Sequence, residues 1–380
     1  MTDMASRVHL KVLVCGGGIA GNALSFWLTK LGHNVTVLEK YPGLRATGLQ
    51  LDLRGAGIEV MKRMGLEQAF RAKRTPEEGM QMVDSTGKQR AWFPAIKPKA
   101  GEKQGFTTEY EMMRGDICRI LHDAAVSRST RAGVKTSAEY VFGTAIKSFQ
   151  QNDLAVDVHF EDGTSGSYDL LVGADGQWSR TRRMMLASGP DSVTAGGSDG
   201  FHPVPGLYFA CFTMQRPIQE GEGYIATSYL ATKRRGILTR RHSPTEIQVT
   251  LSCREDSEWM RNVSRGDVNA EKKAMANIFE GAGWQSDEIV EAMRKSPDFY
   301  GERLGFVKLA PWWVHTYSPA KLDVMLGGVS VRRRARTASW LRSIHMKQNS
   351  DPLWMKCQKG FWKTPQKSGR WRRLLHKSPL

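Results

Sequence analysis

Three glycines near the start of the chain have the G-x-G-x-x-G spacing of a turn that binds a pyrophosphate. In such a turn Gly16 permits a tight bend, Gly18 leaves space for the phosphates, and Gly21 lets the following helix pack closely. The phosphates would then meet the free N–H groups and the positive end of that helix. The spacing therefore predicts a nucleotide-binding turn.

The segments around these glycines are the ones that such a turn requires. Residues 11–15, KVLVC, have the composition of a buried strand, and residues 22–31 are apolar at helical spacing. A second predicted strand over 34–38 leads to Glu39, which follows Gly21 by eighteen residues, close to the distance of a ribose-binding acid. Its carboxylate would accept the ribose hydroxyls and repel a 2′-phosphate, which favours FAD or NAD. A βαβ unit with a glycine-rich turn and no ligand is the alternative.

Two regions between the first motif and the middle of the chain could contact the same ligand. Arg45 and Gly48 lie in a predicted loop that could fold back over a cofactor, with an ordinary surface loop as the alternative. Arg114 begins a predicted helix over 114–126, where the helix dipole disfavours a cation. Either Asp116 alone or a phosphate or carbonyl group of the cofactor would compensate that charge.

A carboxylate follows a further predicted strand. Asp175 and Gly176 come directly after the short buried segment 169–173. This position would put the carboxylate at the carboxyl end of the sheet, where α/β proteins bind ligands. An ordinary turn is the alternative. The presence of the glycine motif in the same chain favours a ligand contact.

From residue 207 the sequence changes to an all-β pattern. Four segments separated by turns, LYFACFTM, GYIATSYL, RGILTRRH and EIQVTLSC, predict an antiparallel sheet that forms the wall of a substrate pocket. Candidate lining residues, with membership of the core as the alternative, are Tyr208, Phe209, Tyr224 and Tyr229. Other predicted elements are a hairpin over 80–93, two strands over 140–160, helices over 270–281 and 286–295, and a last strand over 324–326.

Composition limits the class of protein. The five cysteines form no CxxC pair and the nine histidines are scattered, so we expect no disulfide framework, no metal site and no Ser-His-Asp centre. The first ten residues predict no signal peptide, and no long apolar run predicts a membrane span. These features favour a soluble, cytoplasmic protein with a small-molecule substrate.

The net charge of +17 is localised. Fourteen of the 55 basic residues and one of the 38 acidic residues lie in 327–380, which leaves a net charge of +4 for the first 326 residues. We therefore expect no nucleic-acid partner for the enzyme-like part. The basic tail is the one contrary signal.

Together the motifs resemble those of the group A FAD-dependent monooxygenases, the para-hydroxybenzoate hydroxylase-like family. The resemblance is strongest to fungal FAD-dependent monooxygenases of secondary metabolism. It rests on GGGIAG with Glu39, on the arginine of MMRGDICRIL, and on LLVGADGQWSRTR, which matches the family pattern GADGxxSxxR. It spans residues 12–326 and implies an α/β fold, a Rossmann-like FAD-binding domain with an interleaved antiparallel β-sheet substrate domain.

The resemblance also implies the roles of the candidate residues. FAD would place its ribose on Glu39 and its pyrophosphate over the glycine turn. The implied cofactor-binding residues are Gly16, Gly18, Gly21, Glu39, Arg45, Gly48, Arg114, Asp175 and Gly176. NADPH or NADH would bind transiently as the reductant, and one oxygen atom of O2 would enter an aromatic or polyketide-like substrate. No side-chain catalyst is implied, because the cofactor carries the chemistry.

The predicted domain organisation alternates between two domains. The FAD-binding domain would comprise 1–79 and 107–186, with a return of the chain over 301–327. The substrate domain would comprise the hairpin and loop 80–106 and residues 187–300, and residues 328–380 form an atypical basic tail.

The carboxyl-terminal part departs from the family pattern. A third family motif should follow the last strand as Gly-Asp, small residues, a proline and a glycine-rich helix start. Here VMLG is followed by Gly328 and VSVRRRARTASWLRS. We interpret the tail as a shifted reading frame or an unspliced intron, with an arm that binds RNA or an acidic membrane as the alternative. An FAD-linked reductase or dehydrogenase, or a non-catalytic remnant of the monooxygenase fold, also stays open.

Overall fold

The computed structural model describes residues 9–44, 49–95, 105–129, 136, 138–152, 154–188, 199–255, 263–264 and 266–308. A parallel sheet of four strands has the first motif at the end of an inner strand. In spatial order its strands are Leu170–Gly173 (β11), Lys11–Cys15 (β1), Asn34–Glu39 (β2) and Ala138–Phe142 (β7). Val12, Leu13 and Val14 are fully buried, which confirms the predicted first strand.

Five helices belong to the same part of the chain. They are Ile19–Leu31 (α1), Ala56–Met64 (α2), Glu67–Lys73 (α3), Arg114–Ser129 (α4) and Arg180–Ser188 (α5). Helix α1 ends at Gly32, whose φ of 98° is left-handed and suits a glycine. Apolar residues of the first four helices, including Phe26, Met61, Phe70 and Leu121, form one core. This core fixes α1 and α4 side by side, with their amino-terminal ends available to a ligand.

Two smaller β structures complete this part. Gln50–Asp52 (β3) and Glu111–Met113 (β6) form an antiparallel ribbon. Ile146–Gln151 (β8), Val156–Phe160 (β9) and Ser165–Tyr168 (β10) form an antiparallel sheet. The prediction of two strands over 140–160 is wrong in number, because a turn at Gly143, with φ of 78°, separates β7 from β8.

The predicted antiparallel sheet is confirmed and is larger than expected. In spatial order its strands are Tyr300–Val307 (β16), Phe201–Gln215 (β12), Glu246–Arg254 (β15), Arg235–Arg241 (β14), Ile225–Ala231 (β13), Gly79–Val83 (β4) and Gln89–Pro94 (β5). The predicted hairpin is β4 and β5, and it joins this sheet through parallel pairing of β4 with β13. We call this seven-stranded structure the large sheet.

One face of the large sheet is covered by the two predicted helices, Val268–Phe279 (α6) and Ser286–Lys295 (α7). Phe279, Ile289 and Met293 pack there against alternate residues of the strands. Tyr208 and Tyr229 belong to this helix-covered core, and the Tyr229 hydroxyl donates to Ala282 O over 2.8 Å. Of the two alternatives, membership of the core therefore applies to both, because strand alternation directs them to the helix-covered face.

Residues 301–308, assigned by sequence to a return to the FAD-binding domain, belong to or directly follow β16. The predicted strand over 324–326 and the basic tail lie outside the described residues. The domain boundaries stay predictions. No helix within the described ranges is long and apolar enough to cross a membrane.

Candidate cofactor site

The glycine motif and the GADGxxSxxR motif are in direct contact at the carboxyl ends of β1 and β11. Gly16 N donates to Leu38 O over 2.7 Å, and Ala174 N donates to Cys15 O over 2.7 Å. Gly16 has a φ of 114°, and a Cβ there would lie 2.6 Å from Ala174 O. The glycine is therefore required by the packing of the two turns against each other.

The other two glycines of the motif have different roles. A Cβ on Gly21 would lie 1.9 Å from Gly16 O, so this glycine allows α1 to pack on the turn. At Gly18 the nearest described atom to such a Cβ, among those outside its own neighbours, is Arg114 Nη2 at 3.7 Å. The protein itself would accept a methyl group at Gly18. The space above it is a cradle that suits a phosphate.

Positive charge and N–H donors surround this cradle. No side chain of the described residues caps α1 at Gly18, so the first turn leaves backbone N–H groups for a ligand. The Arg114 guanidinium lies beside Gly18. The backbone N–H of Arg114 donates to Leu49 O over 3.0 Å. The structure thus brings together Gly18 and Arg114, which are far apart in the sequence, at one point that is suited to an anion.

Glu39 lies next to the same turn. Its Oε2 accepts the Gly17 N–H over 2.8 Å, and its Oε1 accepts the Tyr41 N–H over 3.1 Å. These bonds orient the carboxylate while each oxygen keeps a lone pair for a ribose hydroxyl. The donors, the cradle and the acid fit the adenosine and pyrophosphate portions of FAD.

The Asp175 carboxylate has a structural task that the sequence did not indicate. Its Oδ2 accepts the N–H groups of Arg180 and Thr181 over 2.8 and 3.0 Å, and its Oδ1 accepts the Ser179 hydroxyl. The side chain therefore caps the first turn of α5. The backbone of Ala174 and Asp175, by contrast, lies against Gly16. Any contact with the cofactor from this turn would come from its backbone or from Gly176.

The last arginine of the GADGxxSxxR motif also anchors the turn. Arg182 is 6% exposed and donates to Gln177 O over 2.9 Å and to Asp199 O over 2.7 Å. Its Nη2 also forms an ion pair with Asp199 at 2.9 Å. The GADGxxSxxR pattern thus describes residues that shape the turn beside the cradle. Arg45 and Gly48, which were predicted to contact the cofactor, lie outside the described residues.

Sequence reasoning missed Asn22. This fully buried side chain donates to Gly17 O over 2.8 Å and to Cys118 O over 3.3 Å. It therefore joins the glycine turn to α4, the helix that begins with Arg114. The sequence signal for this role was a polar amide directly after the last glycine of the motif, on the face of the helix that is buried.

The face of the large sheet that α6 and α7 leave uncovered contacts the β3–β6 ribbon. Gln50 N on β3 donates to the Gln248 side chain on β15 over 2.7 Å. Arg240 on β14 reaches Glu77 and Glu111 on the same side. This contact was not predicted, because it joins residues that are 129 or more positions apart in the sequence.

This combination of fold and site defines a flavin-dependent oxidoreductase, and comparison with known proteins agrees. Residues 9–202 match the FAD binding domain family. The FAD-dependent monooxygenase asL4 of Sarocladium schorii is 47% identical over 304 residues, which are 80% of this chain and 67% of that protein. The flavin-dependent monooxygenase eupH of Phoma sp is 39% identical over 309 residues, 79% of this chain and 67% of that protein. The chain belongs to the FAD-dependent monooxygenases.

A solved structure is similar over much of the chain. Tetracycline destructase Tet(55) has a TM-score of 0.65 and 27% identity, covering 82% of this chain and 72% of that one. The resemblance inferred from the motifs is thereby confirmed, as are the fold class and FAD as the cofactor.

Proposed function

We propose that this chain uses NAD(P)H and O2 to hydroxylate or epoxidise an aromatic or polyketide-like small molecule in secondary metabolism. The observation that carries the proposal is the convergence of Gly18, Arg114 and Glu39 at the carboxyl end of the parallel sheet. When bound, FAD would supply the redox and oxygen chemistry. The similarity to fungal monooxygenases and to a tetracycline destructase supports the substrate class.

The chain's own residues bind and orient the cofactor. The α1 N–H groups and Arg114 would neutralise the pyrophosphate, and Glu39 would accept the ribose hydroxyls. The uncovered face of the large sheet would close one side of the substrate pocket and exclude water. The proposed cofactor contacts are Gly16, Gly18, Gly21, Glu39, Arg45, Gly48, Arg114, Asp175 and Gly176.

The cysteines support a cytoplasmic location. The four described cysteines, Cys15, Cys118, Cys211 and Cys253, are buried free thiols. Burial raises the pKa of Cys15 to about 12 and that of Cys211 to about 11, so both stay protonated and unreactive. Such thiols are typical of a reducing compartment.

Oxygen transfer can be tested with the purified chain and FAD. We expect the absorption spectrum of a bound flavin, NAD(P)H oxidation that a suitable substrate stimulates, and incorporation of isotopically labelled O2 into the product. Substrate reduction or dehydrogenation without label would identify an FAD-linked reductase or dehydrogenase. A chain that cannot be reconstituted with FAD would be a non-catalytic remnant.

A further inference from the structure

A buried polar cluster joins the β3–β6 ribbon to the large sheet. We call it the carboxylate cluster, and its members are Gln50, Glu77, Thr107, Glu111, Arg240 and Gln248. Gln50 and Glu111 belong to the ribbon, and Arg240 and Gln248 to adjacent strands of the large sheet.

The charges in the cluster do not balance if every acid is ionised. Arg240 contacts both acids: its Nη2 lies 3.1 Å from Glu77 Oε1, and its Nη1 forms a close ion pair with Glu111 Oε1. The side chains of Glu77 and Glu111 are 1% and 0% exposed. Two carboxylates and one guanidinium would leave one negative charge buried without compensation, which is costly. One bound proton makes the unit neutral.

The hydrogen bonds indicate which acid carries that proton. Glu77 accepts three donors, namely the Thr107 hydroxyl, Arg240 Nη2 and, over 3.0 Å, Gln50 Nε2. Burial raises the pKa of Glu77 too, but the charge of Arg240 and these three donors oppose that rise and favour the ionised form. Glu111 accepts Arg240 through Oε1 only, and its buried Oε2 has no partner among the described residues. A proton on this oxygen would turn an unsatisfied acceptor into a donor.

An acceptor for that donor is available on the same face of the ribbon. Asp52 pairs with Glu111 and Gln50 with Met113, so Gln50 and Glu111 are diagonal neighbours on one face. Gln50 Oε1 is also buried and has no partner in the described part of the chain. Burial raises the pKa of Glu111 to about 7; Arg240 and the Gln50 side chain oppose the rise, and Glu77 and Asp52 add to it.

The ribbon carries the position that faces the cofactor. Strand β6 ends at Met113, and the next residue is Arg114, beside the Gly18 cradle. Strand β3 starts two residues after Gly48, and Leu49 accepts the Arg114 N–H. Arg240 and Gln248 therefore fix the position of the ribbon, and the ribbon in turn fixes the start of α4.

We propose that Glu111 is a protonated positioning residue, and that the neutral Glu77–Arg240–Glu111 unit holds Arg114 in register with the large sheet. The proposal rests on the assignment of Arg114 to the FAD site. When Glu111 loses its proton, the uncompensated charge weakens the contact between the ribbon and the sheet. FAD binding then weakens as the pH rises above about 7.

The first test measures FAD affinity by flavin fluorescence from about pH 6 to about pH 9. For the unmodified chain we expect the dissociation constant to rise above about pH 7, by at most about tenfold per pH unit because one proton is involved. Glu111→Gln imitates the protonated acid and should keep the low-pH affinity throughout. Glu109→Gln, which changes a partly exposed acid on the other side of Tyr110, is the matched control and should behave like the unmodified chain.

The second test detects the proton without FAD. Infrared spectroscopy of the chain near neutral pH should show the carbonyl stretch of a buried protonated carboxyl group. Glu111→Gln should abolish this signal. Glu77→Gln should also remove it, because Arg240 would then pair with an ionised Glu111.

Three results would overturn the proposal. The first is a pH dependence of FAD affinity that persists in Glu111→Gln, and the second is the absence of a protonated carboxyl signal in the unmodified chain. The third is FAD binding that does not vary with pH, which would leave the monooxygenase assignment intact. Failure of the unmodified chain to bind FAD at any pH would contradict the proposed function instead. In that case the infrared test still decides whether Glu111 carries a proton.

Discussion

The guanidinium of Arg114 lies beside Gly18, with Nη2 3.7 Å from the point that a Cβ on the glycine would occupy. The two residues belong to the starts of the adjacent helices α4 and α1. Together the helix terminus and the cation form a point that is suited to an anion. Because the guanidinium and both helix ends are positive, this arrangement favours a bound anion such as a phosphate.

Substitution of two glycines in the motif should have separable effects. Gly16→Ala meets both a left-handed φ and a backbone atom at 2.6 Å, so we expect a loss of roughly 2 kcal/mol or more in the free energy of unfolding. Gly18→Ala meets no close protein atom and should leave stability within about 1 kcal/mol while weakening FAD binding at least about tenfold. Denaturant unfolding and flavin titration measure the two effects. Equal loss of stability in both variants would contradict this division.

Arg114 should act on the cofactor through its charge. Arg114→Gln should raise the FAD dissociation constant by about tenfold or more, because a charge-assisted bond to phosphate contributes about 1.5 to 3 kcal/mol. The dependence of binding on salt should also weaken. Arg119→Gln on the exposed side of the same helix is the control, since Arg119 pairs only with Asp116 among the described residues, at 3.4 Å. An equal effect of both variants would indicate a general charge effect on binding.

Asp175 should be chiefly a helix cap. Asp175→Ala removes the acceptor for the Arg180 and Thr181 N–H groups, so we expect a loss of about 1 kcal/mol in the free energy of unfolding. Asp175→Asn keeps one acceptor oxygen and should lose less. Thermal unfolding of the chain without FAD measures both variants. If Asp175→Ala weakened FAD binding with unchanged stability, the carboxylate would have a direct role at the cofactor.

Glu111 should make stability depend on pH. Its pKa is raised from 4.5 to about 7 by burial, so its protonated form stabilises the folded chain fully below pH 4.5. That contribution is lost as the pH rises towards about 7, and the total loss is about 3 kcal/mol. Unfolding free energies of the unmodified chain and Glu111→Gln should therefore diverge across this interval and run parallel above it. Parallel curves throughout would mean that Glu111 is ionised in the folded chain.

Local patterns in the sequence predicted the nucleotide-binding unit well. The strand, the glycine turn, the helix and Glu39 lie within about thirty residues, and their contacts follow from backbone conformation and period. The four strands beginning near residue 207 and the two later helices were predicted for the same reason. Alternation and helical spacing are properties of short segments, so they can be identified without knowledge of the partner.

Tertiary structure decided the features that depend on distant partners. It placed Tyr208 and Tyr229 under the helices, because alternation defines two faces of a strand and only packing selects which one is covered. It also directed the Asp175 side chain to the first turn of α5 and placed the Asp175 backbone against Gly16. Neither outcome could be obtained from spacing, since both choices fit the same motif.

The carboxylate cluster is the clearest case. Arg240 is separated from Glu77 by 163 residues and from Glu111 by 129, and in the sequence each is an ordinary surface-type charge. Folding buries Glu77, Glu111 and Arg240 away from water. The buried unit is then neutral only when one of the two acids is protonated. From the sequence alone, the glycine turn and Glu39 predicted a dinucleotide without a 2′-phosphate, and the family resemblance indicated FAD. Only the tertiary structure decided how the ribbon packs against the large sheet, because that packing buries charged residues that are 129 or more positions apart in the sequence.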